Sequence, residues 1–588
     1  MRYFIIITSL FLGALGHGKP NVVFVLTDDQ GYGDIAHHGN PIAITPHLDA
    51  LARESVSLTD YHVSPTCSPS RASIMTGRWA NRTGVWHTIR GRSTLRREEV
   101  TVADVFQANG YATGLFGKWH LGDVFPYRPQ DRGFTEVFMH AAGGVGQASD
   151  FWDNSYFDDT YFHNGVPVKT EGFCTDVFFE AAKNFIDQST AKDQPFFAYI
   201  ATNAPHGPLH APQEYIDMYP DEPIKISTFY AMVTNIDSNV GALRQHIRNT
   251  GIEENTIFIF STDNGTNSGY SFKADMRGKK GSQYDGGHRV PFFIYYPKGG
   301  LMHRKEVPTL THAVDLLPTL VDLCGLQFEG ADKVDGVSIL PLLKDQVSAT
   351  AWRERMVISD SQRVVDPVKW RASAVMSQGW RLINGTELYH IDEDPGQKND
   401  ISNEFPERVE SMRAFYEQWW AELEPTFDQD IYFVIGNPLE PMIELCSVDS
   451  ISASVPWKQS SIRAPKKFYR DAPGDFWYVE AEQAGRYRVS LRRWPKSTGA
   501  GINATLPAGE NVPGADKAFR TKPGVSINAE AAELLINGEL VAKAPVQGDE
   551  NAMIFELEIP EGKMELSVDF LLKNGKRLSA PFVEIEHL

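Results

Sequence analysis

Short apolar runs alternate with amphipathic stretches over roughly the first 350 residues of the chain. Residues 22–26 form a continuous apolar run rich in valine, as expected of a strand buried on both faces of a parallel sheet. Further strands are predicted at residues 112–117, 196–201, 256–262 and 291–296. Helices are predicted between these strands at residues 45–54, 101–110 and 226–249, and after the last strand at residues 312–323. This alternation predicts an α/β domain.

The pattern changes after about residue 350. Short strands are predicted near residues 356–360, 372–376, 380–384 and 387–391, followed by an amphipathic helix at 406–423. From about residue 432 the sequence is strand-rich. The predicted fold class is therefore α/β. It comprises a large mixed sheet flanked by helices (residues 19–350), a smaller antiparallel sheet with one helix (351–430) and an all-β appendage (431–588).

The chain begins with Met1-Arg2 and an apolar run over residues 3–15, which small residues follow. This pattern predicts a secretory signal peptide over residues 1–18, cleaved near Gly16 or Gly18. The run is too short to span a bilayer. We therefore expect a periplasmic or secreted protein with no stable membrane insertion.

The charge of the chain narrows the range of expected partners. The formal net charge is -19 at pH 7, which argues against nucleic acid and anionic membranes as general partners. An anionic ligand therefore needs a local cluster of cations. The four cysteines are too few for a disulfide framework, so the fold must rest on its core.

Cys67 begins the most distinctive motif of the chain, Cys-Ser-Pro-Ser-Arg, which Thr-Gly-Arg follows at residues 76–78. By itself the motif is equally consistent with a small buried cysteine beside a turn proline. Together with the motifs below it resembles the signature of the type I sulfatases of the alkaline phosphatase superfamily, which include secreted bacterial polysaccharide and aryl sulfatases. The resemblance implies that a formylglycine-generating enzyme oxidises Cys67 to Cα-formylglycine (3-oxoalanine). In this family the hydrated aldehyde attacks sulfur.

Oxygen-bearing side chains follow two of the predicted strands. Asp28 and Asp29 come directly after the first strand, and Asp263 and Asn264 come after the fourth. Ligands bind at the carboxyl ends of strands in open α/β sheets, although adjacent acids there are also common as caps and turn formers. The resemblance implies that these four residues and Cys67 are metal ligands. Hard oxygen donors suit Ca²⁺ first and Mg²⁺ second, and the lack of a His or Cys cluster disfavours Zn²⁺.

Three further motifs carry candidate acid–base and cationic groups. Lys118 and His120 belong to a Gly-Lys-Trp-His motif and His206 to Pro-His-Gly-Pro, and both motifs resemble family signatures. The resemblance implies that Lys118 neutralises the nucleophile and a sulfate oxygen, and that His120 takes the proton from the second diol hydroxyl. His206 would protonate the leaving alcohol or bind the ester oxygen. Lys280 aligns with the family's sulfate-binding lysine, beside Lys279 at a position that is usually glycine.

Arg71 lies one helical turn after Cys67, so both side chains are expected on one face at the start of a helix. Arg71, Lys118 and Lys280 would, with Ca²⁺, offset the charge of a sulfate ester. The positive end of the helix adds to that field.

Two groups of residues are candidates for substrate binding. Residues 127–162 are rich in aromatic side chains and glycine, and Trp152 and Tyr156 are candidates for a sugar platform. Core packing of an irregular insertion is an equal alternative. Arg90 and Arg92 belong to a short basic run, which is either a solvated face or a subsite for a second sulfate or a uronate.

The sequence therefore predicts a Ca²⁺-dependent formylglycine sulfatase that acts on a sulfated carbohydrate, such as an oligosaccharide derived from a polysaccharide. A phosphate-diester or phosphonate hydrolase of the same superfamily is one alternative. A non-catalytic glycan-binding protein, with the β appendage as the binder, is another.

Overall fold

The computed structural model describes residues 18–269, 271–346, 352–452, 454–512 and 522–588. The predicted signal peptide lies outside these ranges except for Gly18. Within the ranges, no helix has both the length and the apolar character needed to cross a membrane. The four cysteines are all buried and free, so none of them forms a disulfide.

The first part of the chain alternates between strands and helices, as predicted. Its strands are β1 (Asn21–Thr27), β2 (Val56–Leu58), β3 (Tyr61–His62), β4 (Ala112–Lys118), β5 (Glu136–His140), β6 (Thr160–His163), β7 (Val166–Lys169), β8 (Phe196–Ala201), β9 (Thr256–Thr262), β10 (Phe292–Tyr295), β11 (Lys305–Val307) and β12 (Thr311–His312). Its helices are α1 (Pro46–Glu54), α2 (Cys67–Thr76), α3 (Val102–Ala108), α4 (Cys174–Ala191), α5 (Gln213–Ile216), α6 (Ile224–Asn249), α7 (Asp285–His288), α8 (Leu316–Cys324) and α9 (Leu340–Leu343).

A ten-stranded sheet forms the centre of this part, in the order β11-β2-β10-β9-β1-β8-β4-β5-β6-β7. Its middle strands β9, β1, β8, β4 and β5 run parallel. Strand β10 pairs antiparallel with β9, and β6 pairs antiparallel with β5. The sheet is therefore mixed, as predicted.

Both faces of this sheet are covered. Val22, Phe24 and Leu26 of β1 pack into one hydrophobic core, and Val23 and Val25 pack into a second core. Helices α2, α3 and α8 contribute to the first core, and α1, α4 and α6 contribute to the second. A strand buried on both sides needs apolar residues at successive positions, which explains the continuous apolar run. Each large side chain that is fully buried there stabilises the fold by roughly 1.5–3 kcal/mol.

The second part is a four-stranded antiparallel sheet, β13 to β16 in order. Its elements are β13 (Val357–Asp360), β14 (Ser373–Ser377), β15 (Trp380–Ile383), β16 (Glu387–His390) and α10 (Pro406–Leu423). Met412, Tyr416 and Trp420 of α10 pack into a core with residues of the sheet.

The remaining residues form two β-sheets that share a hydrophobic core. The elements are β17 (Phe433–Ile435), β18 (Met442–Cys446), α11 (Gln459–Arg463), β19 (Trp477–Ala481), β20 (Gly485–Arg492), β21 (Ala529–Ile536), β22 (Glu539–Pro545), β23 (Met553–Ile559), β24 (Gly562–Leu572), β25 (Arg577–Ser579) and β26 (Phe582–His587). One sheet has the order β17-β19-β24-β21-β22 with β25 on β24, and the other has the order β18-β26-β20-β23. We call residues 431–588 the β appendage. The predicted fold class is confirmed.

Candidate active site

Four segments bring their first or last residues to one edge of the large sheet. β1 ends at Thr27, directly before Asp28 and Asp29, and β9 ends directly before Asp263. β1 and β9 pair in parallel up to their last residues, so the acids after both strands lie side by side. Lys118 is the last residue of β4, and Cys67 is the first residue of α2.

The acids and Cys67 form one buried cluster. One ligand atom from each of Asp28, Asp29, Cys67 and Asp263 lies within 4.8 Å of the others. Asn264 Nδ2 donates to Asp29 Oδ1 at 2.8 Å, while Asn264 Oδ1 and Asp29 Oδ2 are buried and have no hydrogen bond within the described structure. Buried oxygens without a donor are costly, and a cation satisfies them. This donor set of carboxylate and amide oxygens fits Ca²⁺.

A strained turn holds Asp29 in this cluster. Its φ of 67° lies in the left-handed region, which is unfavourable for a residue with a side chain. The Asp29 amide donates to Asp263 Oδ1 at 3.2 Å, so the turn ties the end of β1 to the residue after β9. Strain at this position is therefore offset by contacts within the cluster.

Two lysines reach the cluster from different segments. Lys118 Nζ lies 2.7 Å from Asp28 Oδ2, and both side chains are fully buried. Lys280 Nζ lies 2.6 Å from Asp29 Oδ1 and 3.1 Å from Cys67 Sγ. Lys279 is exposed. Of the two neighbouring lysines, the structure brings Lys280 to the cluster.

Arg71 lies beneath the acids. It donates to Asp263 Oδ2 from Nε at 3.1 Å and from Nη2 at 2.8 Å, and from Nη1 to the Lys118 carbonyl at 3.0 Å. The side chain is fully buried and does not line the cleft described below. Arg71 is therefore fixed beneath the acids, and its charge acts first on Asp263.

Burial and charge act in opposite directions on these groups. Burial raises the pKa of Asp263 to about 6, with repulsion from Asp28 adding to the shift and Arg71 opposing it. Burial also disfavours the charged form of Asp29, but Lys280 and other neighbours hold its pKa well below the usual range. Burial raises the pKa of the Cys67 thiol to about 12. An unmodified Cys67 is therefore a neutral thiol at pH 7 and a poor nucleophile.

Two histidines stand beside the cluster. His120 Nε2 lies 3.0 Å from the Thr88 carbonyl, which only accepts, so Nε2 carries the proton and Nδ1 is an acceptor. Nδ1 is buried without a partner among the residues that the structure describes. His206 Nε2 lies 3.8 Å from Asp29 Oδ2. Burial lowers the pKa of His206 to about 3 and that of His120 well below its ordinary value, so both are neutral at pH 7.

A cleft in two connected parts opens onto these groups. The deep part has a volume of about 280 Å³ and is lined by Cys67 and His120, among others. The wide part has a volume of about 440 Å³. The two parts share five lining residues, which are Gln147, His206, Lys280, Arg363 and Trp457.

The predicted arginine candidates are separated by the fold. Arg90 lines the deep part of the cleft. Arg92 is 5% exposed and is paired with Asp430 at 2.9 Å, away from the lining residues. Only Arg90 of this pair is therefore placed to contact a substrate.

The aromatic candidates lie in the interior. Trp152 is buried, with its ring 5.7 Å from that of Trp494 in the β appendage. Tyr156 is fully buried, and its hydroxyl donates to the His206 carbonyl at 2.9 Å. Neither residue lines the cleft. The geometry assigns Trp152 to packing and Tyr156 to support of the His206 loop.

Arg363, Trp457 and Lys458 are among the lining residues that the sequence analysis did not identify. Arg363 lies between β13 and β14, and the other two lie in the β appendage, just before α11. No local motif marks them, because they reach the cleft only through the packing of distant segments.

Comparison with known proteins decides the family. The sulfatase family model matches residues 20–326, which is more than half of the chain. This chain belongs to the sulfatase family. A second model, the C-terminal region of N-sulphoglucosamine sulphohydrolase, matches residues 279–421 of this sulfatase. Residues 422–588 lie outside both matches.

Individual relatives of this sulfatase support the same family assignment. It is 29% identical over 450 residues to an ulvan-active sulfatase of Formosa agariphila, covering 71% of this chain and 84% of the relative. It is 31% identical to arylsulfatase A of Homo sapiens over 371 residues, 58% of this chain and 70% of the relative. The crystal structure of Ps i-CgsB in complex with k-i-k-neocarrahexaose has 28% sequence identity and a TM-score of 0.62, covering 68% of this chain and 92% of that one. The predicted family and enzyme class are confirmed.

Proposed function

We propose that this sulfatase removes sulfate from a sulfated carbohydrate, with formylglycine made from Cys67 as the nucleophile. Asp28, Asp29, Asp263 and Asn264 would hold Ca²⁺ beside it. The observation that carries the proposal is the contact of Lys280 Nζ with both Cys67 Sγ and Asp29 Oδ1, at 3.1 Å and 2.6 Å. One ammonium thereby joins the nucleophile position, which lines the cleft, to the carboxylate cluster.

The state of Cys67 supports conversion to formylglycine. Because burial raises its pKa to about 12, the thiol itself is neutral at pH 7 and cannot serve as an anionic nucleophile. A hydrated aldehyde at this position would offer two hydroxyl groups instead. The maturation partner is then a formylglycine-generating enzyme, which acts on the chain before the site is buried.

The charge of a sulfate ester is offset by groups around residue 67. When bound, Ca²⁺ would polarise the ester and lower the pKa of the attacking hydroxyl. Lys118 and Lys280 are held in place by their carboxylate partners at 2.7 Å and 2.6 Å. Preorganised cations of this kind stabilise developing negative charge without further rearrangement.

The two histidines suit opposite roles in proton transfer. His120 keeps its proton on Nε2 against the Thr88 carbonyl, so Nδ1 accepts a proton when the sulfated intermediate collapses. His206 is neutral at pH 7, so one of its ring nitrogens carries a proton. This N–H donates a hydrogen bond to the ester oxygen as the alcohol leaves. A sugar alkoxide leaves poorly, so this donor matters most for carbohydrate substrates.

A carbohydrate substrate is supported by relatives and by the cleft. One relative is named an ulvan-active sulfatase, and the similar crystal structure contains neocarrahexaose. The wide part of the cleft, about 440 Å³, leaves room beyond the reacting sulfate. The predicted signal peptide supports action on external glycans in the periplasm or outside the cell.

The test is release of inorganic sulfate from sulfated oligosaccharides and aryl sulfates, with matched phosphate esters alongside. The protein is co-produced with a formylglycine-generating enzyme, and the mass of the Cys67 peptide is measured in the same preparation. We expect sulfate release by the parent, none by Cys67→Ala, and release by Cys324→Ala, a buried free cysteine that does not line the cleft.

Retained turnover in the Cys67→Ala variant would overturn the assignment of residue 67 as the nucleophile. Faster turnover of the phosphate esters would support the hydrolase alternative within the superfamily. A converted Cys67 peptide with no sulfate release from any carbohydrate would overturn the substrate class.

A further inference from the structure

One segment of the β appendage reaches the active-site cleft. Trp457, Lys458 and Ser460 line its wide part together with His206 and Lys280, and Trp457 also lines the deep part. This segment lies outside the two regions that match family models. The appendage therefore adds to the cleft a wall that the family regions do not supply.

The backbone of this segment is fixed to the loop that lines the cleft. The Ala148 amide donates to the Trp457 carbonyl at 3.0 Å, and the Gln459 amide donates to the Gly146 carbonyl at 3.1 Å. Gln147 and Lys458 form an antiparallel bridge between these bonds. The wall is thus an extension of the 146–148 loop.

A buried side chain strengthens the junction. Gln459 is fully buried, and its Nε2 lies within hydrogen-bond distance of the carbonyls of Gln147, Asp150 and Phe151, at 3.1 Å, 3.1 Å and 3.2 Å. Arg463 of α11 pairs with Asp153 at 2.7 Å. Because the neighbours of Trp457 and Lys458 are held on this side, the backbone of both residues is fixed at the cleft before a ligand arrives.

The wall carries an aromatic ring and a cation. Lys458 Nζ lies 4.3 Å from the centroid of the Trp457 ring, and the lysine side chain is exposed. Arg90 and Arg363 line the same cleft. Across the described residues, none of these three cations forms an ion pair with a carboxylate. Arg92 and Arg97, close to Arg90 in sequence, are each paired with a carboxylate, whereas Arg90 at the cleft is not.

The surroundings of His87 indicate that the arginines act on one region. His87 lines the deep part of the cleft, and its Nδ1 accepts from the Thr88 amide at 2.7 Å. Burial and the charges of Arg90 and Arg363 lower its pKa to about 3. His87 is therefore neutral at pH 7. The positive charges of Arg90 and Arg363 can then act on an anionic ligand.

We infer that Trp457 and Lys458 of the β appendage form a binding site for a second sugar unit, next to the one that carries the reacting sulfate. The face of Trp457 that Lys458 does not cover stacks on the sugar ring, and Lys458 with Arg363 binds an anionic substituent, either sulfate or carboxylate. This inference rests on the proposed function. The substrate class is thereby narrowed to oligosaccharides with an anion on a neighbouring unit.

The first test measures binding and does not depend on turnover. Isothermal titration calorimetry on the full chain carrying Cys67→Ala would use carrageenan hexasaccharides, which bear sulfate, and ulvan oligosaccharides, which also bear uronate. Adding Trp457→Ala or Lys458→Glu is expected to weaken binding about tenfold or more. The matched control is Lys563→Glu, because Lys563 lies 4.5 Å over Tyr432 in the same appendage but does not line the cleft. It should change affinity by less than about twofold.

The second test uses the active protein and compares two substrates. The ratio of kcat/KM for the oligosaccharide to kcat/KM for 4-nitrophenyl sulfate should fall about tenfold in Lys458→Glu and remain at the parent value in Lys563→Glu. Trp457→Phe should recover most of the affinity that Trp457→Ala loses, because it keeps an aromatic face.

The outcomes separate the two proposals. Equal effects of the Lys458 and Lys563 variants, or parent-like binding by the Trp457→Ala variant, would overturn the subsite while leaving sulfatase action on carbohydrates intact. If the Cys67→Ala chain binds none of the oligosaccharides, the subsite is overturned whatever the parent hydrolyses. Loss confined to the carrageenan hexasaccharides would identify sulfate as the anion that the site selects, and loss confined to the ulvan oligosaccharides would identify the uronate carboxylate.

Discussion

Arg71 and Asp263 form a two-pronged ion pair beneath the cluster, with Nε and Nη2 at 3.1 Å and 2.8 Å from the same carboxylate oxygen. Both side chains have no exposed surface. The pair ties α2, which begins at Cys67, to the residue that follows β9. Removing either partner leaves a buried charge without compensation.

Arg71→Ala is therefore expected to lower the free energy of unfolding by about 3–5 kcal/mol. Urea denaturation followed by tryptophan fluorescence measures this change. Arg97→Ala is the control, because Arg97 is 54% exposed and pairs with Glu482 at the surface. A surface pair contributes about 0–1 kcal/mol. Similar losses in the two variants would contradict the structural role of the Arg71–Asp263 pair.

Lys280 and Lys279 provide a matched pair of adjacent lysines. Lys280→Ala should lower kcat/KM about 100-fold or more, since it removes a preorganised cation beside the reacting group. Lys279→Ala should stay within about threefold of the parent, because that side chain is exposed. Steady-state kinetics with one sulfated substrate measures both. A greater loss in the Lys279 variant would show that Lys279, rather than Lys280, contacts the sulfate.

Ca²⁺ affinity is expected to depend on pH in the weakly acidic range. Burial raises the pKa of Asp263 to about 6 in the metal-free protein, and the metal requires the carboxylate form. Above pH 6 no proton has to leave, so affinity is constant. Below pH 6 one proton must be displaced, so affinity falls roughly tenfold per pH unit.

Calorimetric titration of the EDTA-treated protein with Ca²⁺ at pH 7.5, 6.5, 5.5 and 4.5 measures this dependence. Mg²⁺ should bind more weakly than Ca²⁺ at each pH, because Ca²⁺ prefers a site built from several carboxylate and amide oxygens, whereas Mg²⁺ usually keeps several waters. Asn264→Ala should weaken Ca²⁺ binding at every pH, since it removes an oxygen that has no other described partner. Affinity that stays level from pH 6.5 to 4.5 would refute the assignment of Asp263 as a ligand.

His206→Ala should distinguish substrates by their leaving group. The hydrogen bond from His206 stabilises the charge that develops on a departing sugar oxygen, so kcat for a sulfated sugar should fall about 10²–10³-fold. A nitrophenolate leaves without a proton, so kcat for 4-nitrophenyl sulfate should fall much less. His303→Ala, a histidine outside the cleft that bonds the Tyr296 carbonyl, serves as the control. Equal losses on the two substrates would rule out a role at the leaving oxygen.

Much of the fold follows from local pattern. The continuous apolar run of β1 is read directly from the chain, because burial on two faces requires it. The helix Pro406–Leu423 has the predicted bounds, with proline at its start. The five strands predicted in the first part are observed with different ends at most, since fraying and capping depend on neighbours. Strands β5, β6 and β7 and helix α4 were not predicted.

The location of the candidate site could also be predicted from the sequence, since polar residues at the ends of parallel strands meet at one edge of a sheet. The orientation of the side chains in the site could not be predicted in this way. Arg71 follows Cys67 by one turn, yet it turns beneath the acids to Asp263 because that carboxylate comes from β9, far away in sequence. Arg92 and Trp152 look like ligand contacts, but distant partners bury them.

The sequence by itself determined the α/β architecture, the family and the residues that follow its strands, because periodicity, motif spacing and strand ends are local properties. Only the tertiary structure decided which lysine meets Cys67 and which residues line the cleft. It also decided that the β appendage brings Trp457 and Lys458 to that cleft. Such contacts join segments separated by hundreds of residues, and they depend on how whole sheets pack rather than on any pattern within a segment.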